Sequence, residues 1–143
     1  MLIAHLNMVV IYMKTISKLK KELDKWFSLY IRLRHAKNGM TECFTCGKKD
    51  HYKKLQAGHF QSRRHLPTRW DEINVQVQCV RCNMFNQGEQ YTFGKLLDLR
   101  IEEGISDELV LMSKSTVKYM RHEYIEMINH YKEKVKILIK DCE

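Results

Sequence analysis

The chain has 143 residues, with 25 Lys and Arg against 17 Asp and Glu, and a formal net charge of +8 at pH 7. This length fits a single domain with a modest core. An odd number of cysteines, four of them in two tight pairs, fits a reducing cytosol and argues against a secreted disulfide scaffold.

The first 13 residues are apolar, but they do not resemble a membrane span or an export signal. The segment is too short to cross a bilayer, has no basic start, and is followed by no small-residue cleavage site. We therefore expect an apolar N-terminal extension over 1–13, disordered or loosely packed, and no contact with membrane. A natural start at Met13 is a further hypothesis. Residues 14–143 are expected to form a single domain.

The segment 14–38 is predicted to be the N-terminal helix. From Lys14 to about His35, apolar side chains recur at intervals of three and four, which is typical of one buried helix face. These side chains are Ile16, Leu19, Leu23, Trp26, Tyr30 and Leu33. Asn38-Gly39 is expected to end the helix and turn the chain.

The segment 40–92 has the pattern of short extended pieces and loops. Val75 and Val77 alternate with glutamines, which predicts a short strand that runs into the second cysteine pair. The simplest arrangement is a β-hairpin closed by zinc, with a helix beginning near Cys82.

The segment 93–143 is predicted to be helical. One helix should run to Glu103 with Gly104 as its stop, and Ser106-Asp107 should cap a short helix through Met112. A long final helix is predicted from about Ser115 to Lys140. Its apolar stripe comprises Val117, Met120, Tyr124, Ile128, Tyr131, Val135 and Leu138. We expect the terminal helices to pack on each other within one chain; the alternative is a homodimer formed through them.

The two cysteine pairs are Cys43-Phe44-Thr45-Cys46 and Cys79-Val80-Arg81-Cys82. Two such knuckles can supply four thiolates to one tetrahedral Zn²⁺. The loop between them would then be held in a small rigid frame. The predicted ligands of this structural zinc are therefore Cys43, Cys46, Cys79 and Cys82.

Basic residues are concentrated between the knuckles, where Asp50 is the only acid up to Trp70. The basic residues are Lys48, Lys49, Lys53, Lys54, Arg63, Arg64 and Arg69. Such a block favours a polyanion, usually DNA or RNA. Taken alone, it is equally typical of a solvated charged face.

Three residues near the knuckles have side chains that suit phosphodiester hydrolysis. His59 can serve as the general base, since an imidazole titrates near neutral pH. Asn74 does not titrate, but its amide can bridge a hairpin loop and hold His59. Asn83 offers a carbonyl oxygen, a ligand acceptable to Mg²⁺ or Mn²⁺.

The set Cys43xxCys46, His59, Asn74 and Cys79xxCys82-Asn83 resembles the HNH endonuclease motif in its four-cysteine, His-Asn-Asn form. The sequence around this motif is similar to that of the phage lambda NinG (Rap) recombination protein family. The similar segments are Tyr30-Ile31-Arg32-Leu33-Arg34, Ala57-Gly58-His59-Phe60, Arg69-Trp70-Asp71, Gln78-Cys79 and Cys82-Asn83. The close resemblance covers about Phe27 to Tyr91.

The resemblance implies a zinc-bound ββα-metal, treble-clef-like HNH centre over 40–92, flanked by N- and C-terminal helices in a mainly helical α+β protein. It implies a DNA endonuclease acting on branched recombination or replication intermediates, located in the cytoplasm and encoded by the bacterial host or by a phage. His59 would be the base, Asn74 the structural asparagine, and Asn83 a ligand of the catalytic metal, with His59 as a tentative second ligand.

One position departs from the HNH pattern. The residue before the catalytic histidine is usually an acid or a second histidine that also holds the catalytic metal, and here it is Gly58. Nearby substitutes are His65, Asp71, Glu72 and Glu89. Asp71 is the preferred tentative ligand, although it could equally pair with Arg69.

We expect Arg63, Arg64 and Arg69, together with Lys53 and Lys54, to contact nucleic acid. The alternative function is a non-catalytic, zinc-dependent DNA-binding module or an adaptor in a recombination complex. The missing ligand at Gly58 is the main argument for that alternative.

Overall fold

The computed structural model describes residues 1–142, without the side chains of Met8, Ile11 and Tyr12. Over this part of the chain the protein is mainly helical α+β. The helices are α1 Leu2–Tyr12, α2 Ile16–Leu33, α3 Leu66–Arg69, α4 Gln90–Arg100, α5 Ile105–Ser113 and α6 Arg121–Cys142. The strands are β1 Met40–Glu42, β2 Lys49–His51, β3 Gln56–His59 and β4 Val75–Gln78.

The main core lies between α2 and α6, the two longest helices. The Thr15 side chain caps α2 by accepting a hydrogen bond from the Lys18 backbone N–H, at 3.2 Å. The buried side chains of α2 are Leu19, Leu23, Phe27, Ile31 and Leu33, and those of α6 are Tyr124, Ile125, Ile128, Tyr131 and Val135. The rings of Phe27 and Tyr131 meet edge to face at 5.0 Å. The terminal helices thus pack on each other within the chain, while the homodimer stays a prediction.

Two separate antiparallel hairpins lie between these helices. β1 pairs with β2, placing Met40 opposite His51. β3 pairs with β4, placing Gln56 opposite Gln78 and His59 opposite Val75. Val75 and Val77 point into the main core, so the second hairpin rests on α2.

The last helix begins six residues later than the predicted start at Ser115. Residues 116–120 are non-helical, and the ring of Tyr119 packs against Trp70 and Tyr124. The Glu123 carboxylate accepts a hydrogen bond from the Met120 backbone N–H at 2.5 Å. This contact caps the helix and sets its first turn at Arg121.

The short helix α5 is capped differently from the expectation for Ser106-Asp107. The carboxylate of Asp98, on α4, accepts hydrogen bonds from the Ser106 N–H at 2.8 Å and from the Ser106 hydroxyl at 2.7 Å. The helix begins after Gly104, whose φ is +85°. The cap therefore comes from the preceding helix, which ends at Arg100 and not at Glu103.

The apolar N-terminal segment forms helix α1. Its side chains at Leu2, Ile3, Leu6, Val9 and Val10 are exposed. Within residues 1–142, no helix combines the length and the apolar character needed to cross a membrane.

Candidate functional site

The first cysteine pair sits at the tip of the β1–β2 hairpin. The Cys43 N–H donates to the Lys48 carbonyl at 2.8 Å, and the Gly47 N–H donates to the Cys43 carbonyl at 2.9 Å. Gly47 has a φ of +77°, a conformation that glycine adopts without strain. The Phe44 N–H donates to the Val77 carbonyl at 2.7 Å, and this bond docks the first knuckle onto β4.

The second pair begins where β4 ends. Cys79 follows Gln78 directly, and the chain then enters one wide π-type turn, Arg81–Phe85, that carries Cys82. The Asn83 N–H donates to the Cys79 carbonyl at 2.9 Å. The strand thus delivers one thiol and the turn delivers the other.

The four cysteines form one cluster, and their Sγ atoms lie within 4.8 Å of one another. The Cys46 and Cys79 sulfurs are 3.7 Å apart, far beyond the disulfide bond length of about 2.05 Å. Four sulfurs at about 2.3 Å from a tetrahedral zinc lie about 3.8 Å from each other. Both the donor set and its spacing therefore suit a structural zinc ion.

Crowding of the thiols gives a further reason for a cation. Burial, together with the neighbouring sulfurs, raises the pKa of Cys82 to about 12. At Cys43, burial opposes ionisation, but hydrogen bonds led by that of Thr45 lower the pKa to about 6. Without a cation the cluster resists full ionisation, whereas Zn²⁺ binds thiolates and would compensate their charge.

His59 and Asn83 line the same cleft, which has a volume of about 740 Å³. Asp24, Phe27 and Ser28 of α2 form one wall. The other wall follows the second knuckle and includes Met84, Gln87, Gly88 and Gln90. The end of β3 lies between the walls, so the cysteine frame and α2 jointly shape the cleft.

The His59 ring is held by a backbone carbonyl. Its Nε2 lies 2.8 Å from the Arg69 carbonyl oxygen, and because a carbonyl only accepts, Nε2 carries the proton in this contact. In the neutral ring, Nδ1 is then the nitrogen that can accept a proton. Burial lowers the pKa of His59, which favours the neutral ring at pH 7.

Asn74 braces the loop between His59 and β4 and is fully buried. Its Oδ1 accepts from the Gln61 N–H at 2.7 Å, while its Nδ2 donates to the carbonyls of Gln61, at 3.1 Å, and Thr68, at 2.9 Å. The amide thereby bridges the loop that carries the Arg69 carbonyl. Asn74 is remote from solvent and can act on chemistry only through this loop.

Asn83 is half-buried on the cleft wall that follows the second knuckle, across from α2. Its Nδ2 donates to Gln56 Oε1 at 2.8 Å, and this bond fixes which end of the amide faces β3. Oδ1 of Asn83 is then the oxygen with capacity to accept a ligand.

The four proposed substitutes for a ligand at Gly58 are not among the described residues that line the cleft. Asp71 Oδ1 accepts from the backbone N–H groups of Ile73 and Asn74, both at 2.9 Å. Glu72 Oε2 accepts from the Tyr131 hydroxyl at 3.3 Å, and Glu89 Oε1 accepts from Asn86 at 2.9 Å. His65 precedes α3. Asp71 therefore serves the loop, and it does not pair with Arg69.

Among the described residues, the carboxylate that lines the cleft is Asp24, which the sequence patterns did not indicate. It lies 35 positions before His59 on the first long helix, outside the cysteine frame. Its place in the periodic pattern, one position after the buried Leu23, marks it only as a residue beside the buried face. No local motif indicates its role.

The five basic residues predicted to contact nucleic acid do not lie on one surface. Arg63 is exposed and lines the cleft, and Arg64 is exposed in the same loop. Arg69 is instead paired with Asp24, its Nη2 lying 2.6 Å from Asp24 Oδ2. Lys53 and Lys54 are exposed, and Lys54 lies beside Cys46 and Cys79 on another surface.

Comparison with known proteins identifies one family. No curated protein and no solved structure matches the chain. The family model described as Bacteriophage Lambda NinG protein matches residues 6–142, which is nearly the whole chain. The chain therefore belongs to the phage lambda NinG family.

Proposed function

We propose that this protein is a metal-dependent DNA endonuclease of the HNH type that acts on branched recombination or replication intermediates. The observation that carries the proposal is that His59 and Asn83 line one cleft beside a single four-cysteine cluster. The order β3, β4, π-type turn and α4 supports a ββα-metal, treble-clef-like centre. Family membership supports a role in phage recombination.

In this proposal His59 is the general base. The Arg69 carbonyl keeps the proton on Nε2, so Nδ1 takes a proton from the attacking water. Asn74 acts indirectly, because its three hydrogen bonds fix the loop that presents this carbonyl. Arg63, at the mouth of the cleft, contacts a DNA phosphate, and Arg64 extends the same basic edge.

The cleft offers a divalent cation mainly neutral oxygens. Asn83 Oδ1 is the predicted ligand, and the Asp24 carboxylate is already engaged by Arg69. When bound, Mg²⁺ or Mn²⁺ would offset charge on the phosphate and the leaving oxygen. The chain alone provides few ligands, so water molecules and phosphate oxygens of the DNA would complete the coordination.

A zinc-dependent DNA-binding module without catalysis is the second candidate. Gly58 favours it, since glycine cannot supply the ligand usual at that position. The absence of a free carboxylate among the described residues lining the cleft points the same way. In this function the knuckles and Arg63 would hold DNA and His59 would have no chemical task.

Cleavage assays separate the two functions. Zinc-loaded protein is incubated with linear, forked and four-way junction DNA of matched sequence, with Mg²⁺ or Mn²⁺ titrated from micromolar to millimolar concentrations. The endonuclease proposal predicts cleavage of the branched substrates, saturation only at millimolar cation, and complete loss with EDTA. Tight junction binding with intact DNA at every cation concentration would support the binding module.

A further inference from the structure

We propose that Asp24 is a positioning residue for His59, acting through Arg69. The inference rests on the proposed function, because Asp24 affects catalysis only if His59 is the general base. The effect of Asp24 on the His59 ring can be measured without cleavage. Asp24 belongs to α2, so the proposal extends the site beyond the cysteine, histidine and asparagine set.

Asp24 holds the Arg69 side chain as a two-pronged pair. Arg69 Nε donates to Asp24 Oδ1 at 3.0 Å, and Arg69 Nη2 donates to Oδ2 at 2.6 Å. Both side chains are only 18% exposed. Such a fork fixes orientation as well as distance, which a single-point contact does not.

Asp24 also holds the next residue along the chain. Trp70 Nε1 donates to Asp24 Oδ1 at 3.0 Å, and the Trp70 side chain packs in the main core. One carboxylate thus fixes two successive residues, 69 and 70, against α2. The peptide unit that joins these residues contains the Arg69 carbonyl.

That same carbonyl accepts from His59 Nε2 at 2.8 Å. The Asp24 carboxylate, the Arg69 side chain, the Arg69 carbonyl and the imidazole therefore form a continuous chain of contacts. Its effect is to set the ring's orientation and to keep the proton on Nε2, leaving Nδ1 for the attacking water. In many sites a carboxylate orients a functional histidine by direct contact. Here Asp24 acts on His59 through Arg69, whose side chain contacts Asp24 and whose carbonyl contacts the ring.

The charges around the ring support this role. Arg63 Nη1 lies 3.9 Å from Asp24 Oδ2, so Asp24 faces two guanidinium groups. Burial lowers the pKa of His59 and both arginines act in the same direction, while the Arg69 carbonyl and Asp24 oppose them. Asp24 therefore compensates the positive charge beside the proposed base.

The contacts disfavour a metal-ligand role for Asp24. Oδ1 accepts from two donors, and Oδ2 is 2.6 Å from an arginine nitrogen. A cation at this carboxylate would have to displace or approach a guanidinium. Positioning requires no such rearrangement.

The test uses the zinc-loaded full chain with Asp24→Asn and, from the other side of the pair, Arg69→Ala. The first variant keeps the shape of residue 24 but removes its charge. The second removes the fork but keeps the backbone carbonyl that contacts His59. Long-range ¹⁵N–¹H NMR of the His59 ring reports its tautomer, and single-turnover cleavage reports the rate.

We expect wild-type His59 to show one tautomer with the proton on Nε2, and both variants to show a mixture. Cleavage should fall by about 10-fold to 100-fold at saturating DNA, since small misplacements of a reacting group have effects of this size. DNA affinity and zinc content should stay unchanged. Asp107→Asn, an exposed aspartate in the first turn of α5, should match wild type in every measurement.

An unchanged tautomer in both folded, zinc-loaded variants would overturn the proposal. So would a loss of DNA affinity with no change in saturated rate for Arg69→Ala, because Arg69 would then be a phosphate contact. If the wild type does not cleave any DNA, the proposed function fails, yet the NMR measurement still decides whether Asp24 sets the state of His59.

Discussion

The side chain of Gln78, on β4, fills the space that a side chain at position 58, on β3, would need. A Cβ at position 58 would lie 1.9 Å from Gln78 Oε1 and 2.8 Å from Gln78 Cγ. Gln78 is fully buried, and its Nε2 donates to the Thr45 hydroxyl at 3.2 Å and to the Gly88 carbonyl at 2.9 Å. The side chain that ties the two knuckle segments together thus excludes any metal ligand at position 58.

This packing makes a prediction about Gly58→Ala. The substitution should lower the free energy of unfolding by about 1–3 kcal/mol, the usual cost of overpacking. In a Gln78→Ala background, which removes the colliding atoms, the same change should cost much less. Urea denaturation of the zinc-loaded single and double mutants gives the coupling energy. Equal costs in both backgrounds would show that Gln78 does not restrict position 58.

At the residue scale, the sequence was most informative where chemistry sits in a local motif. The cysteine spacing predicted the four-sulfur cluster, because each pair is closed by a single turn. Asp24 and Gln78 could not be found in this way. Asp24 meets Arg69 across 45 positions, and Gln78 meets Gly58 only after β3 and β4 pair, so tertiary contacts define both roles.

Among the structural elements, the loop between β3 and β4 holds a defined backbone conformation with little regular secondary structure. It must present the Arg69 carbonyl to His59 although its only helix, α3, is four residues long. Asn74 and Asp71 compensate by binding backbone groups of the loop, and the Phe60 N–H donates to the Asn74 carbonyl at 2.8 Å. Hydrogen bonds from the side chains of Asn74 and Asp71 to the loop backbone, and not a long helix or a sheet, hold this segment.

Asn74→Ala should therefore destabilise the zinc-loaded protein by roughly 2–4 kcal/mol, because it removes the three hydrogen bonds that this fully buried amide makes to the Gln61 N–H and to the Gln61 and Thr68 carbonyls. Chemical denaturation followed by circular dichroism measures the change. The matched control is Asn86→Ala, since the Asn86 side chain is exposed and donates its hydrogen bond to Glu89, across a turn; its effect should stay within about 0.5 kcal/mol. Similar values for the two variants would contradict the bracing role.

Helix boundaries show the limit of periodicity at this scale. The stripe from Tyr124 to Val135 predicted α6 correctly, but the same period continued upstream through Val117 and placed the start too early. A cap at Met120 and Glu123 and the packing of Tyr119 on Trp70 override the pattern. Such contacts depend on the loop before β4, which no local pattern in the final segment reveals.

At the scale of the whole molecule, the cleft lies between α2 and the segment that carries the second cysteine pair. The α2–α6 pair supplies the main core and one cleft wall, and the cysteine cluster organises the hairpins and the other wall. Cys43, Cys79 and Cys82 are themselves part of the buried core. Loss of zinc should consequently affect the core as well as the knuckles.

Cys79→Ser should abolish stoichiometric zinc binding and unfold the centre, since a structural zinc site contributes a large part of the folding energy. Zinc content by mass spectrometry under native conditions, together with amide-proton NMR, reports both effects. Cys142→Ser is the control, because Cys142 lies near the end of α6 and outside the cluster. A folded, soluble Cys79→Ser protein would contradict the zinc assignment.

In the proposed function, His59 takes a proton from water in a cleft beside the zinc-binding cysteine cluster. Single-turnover cleavage of four-way junction DNA with Mn²⁺, by wild type and by His59→Ala at equal zinc content and equal DNA occupancy, tests it most directly. The variant should bind DNA normally but cleave at least about 100-fold more slowly, which is the usual contribution of a general base. Cleavage by His59→Ala at the wild-type rate would contradict it.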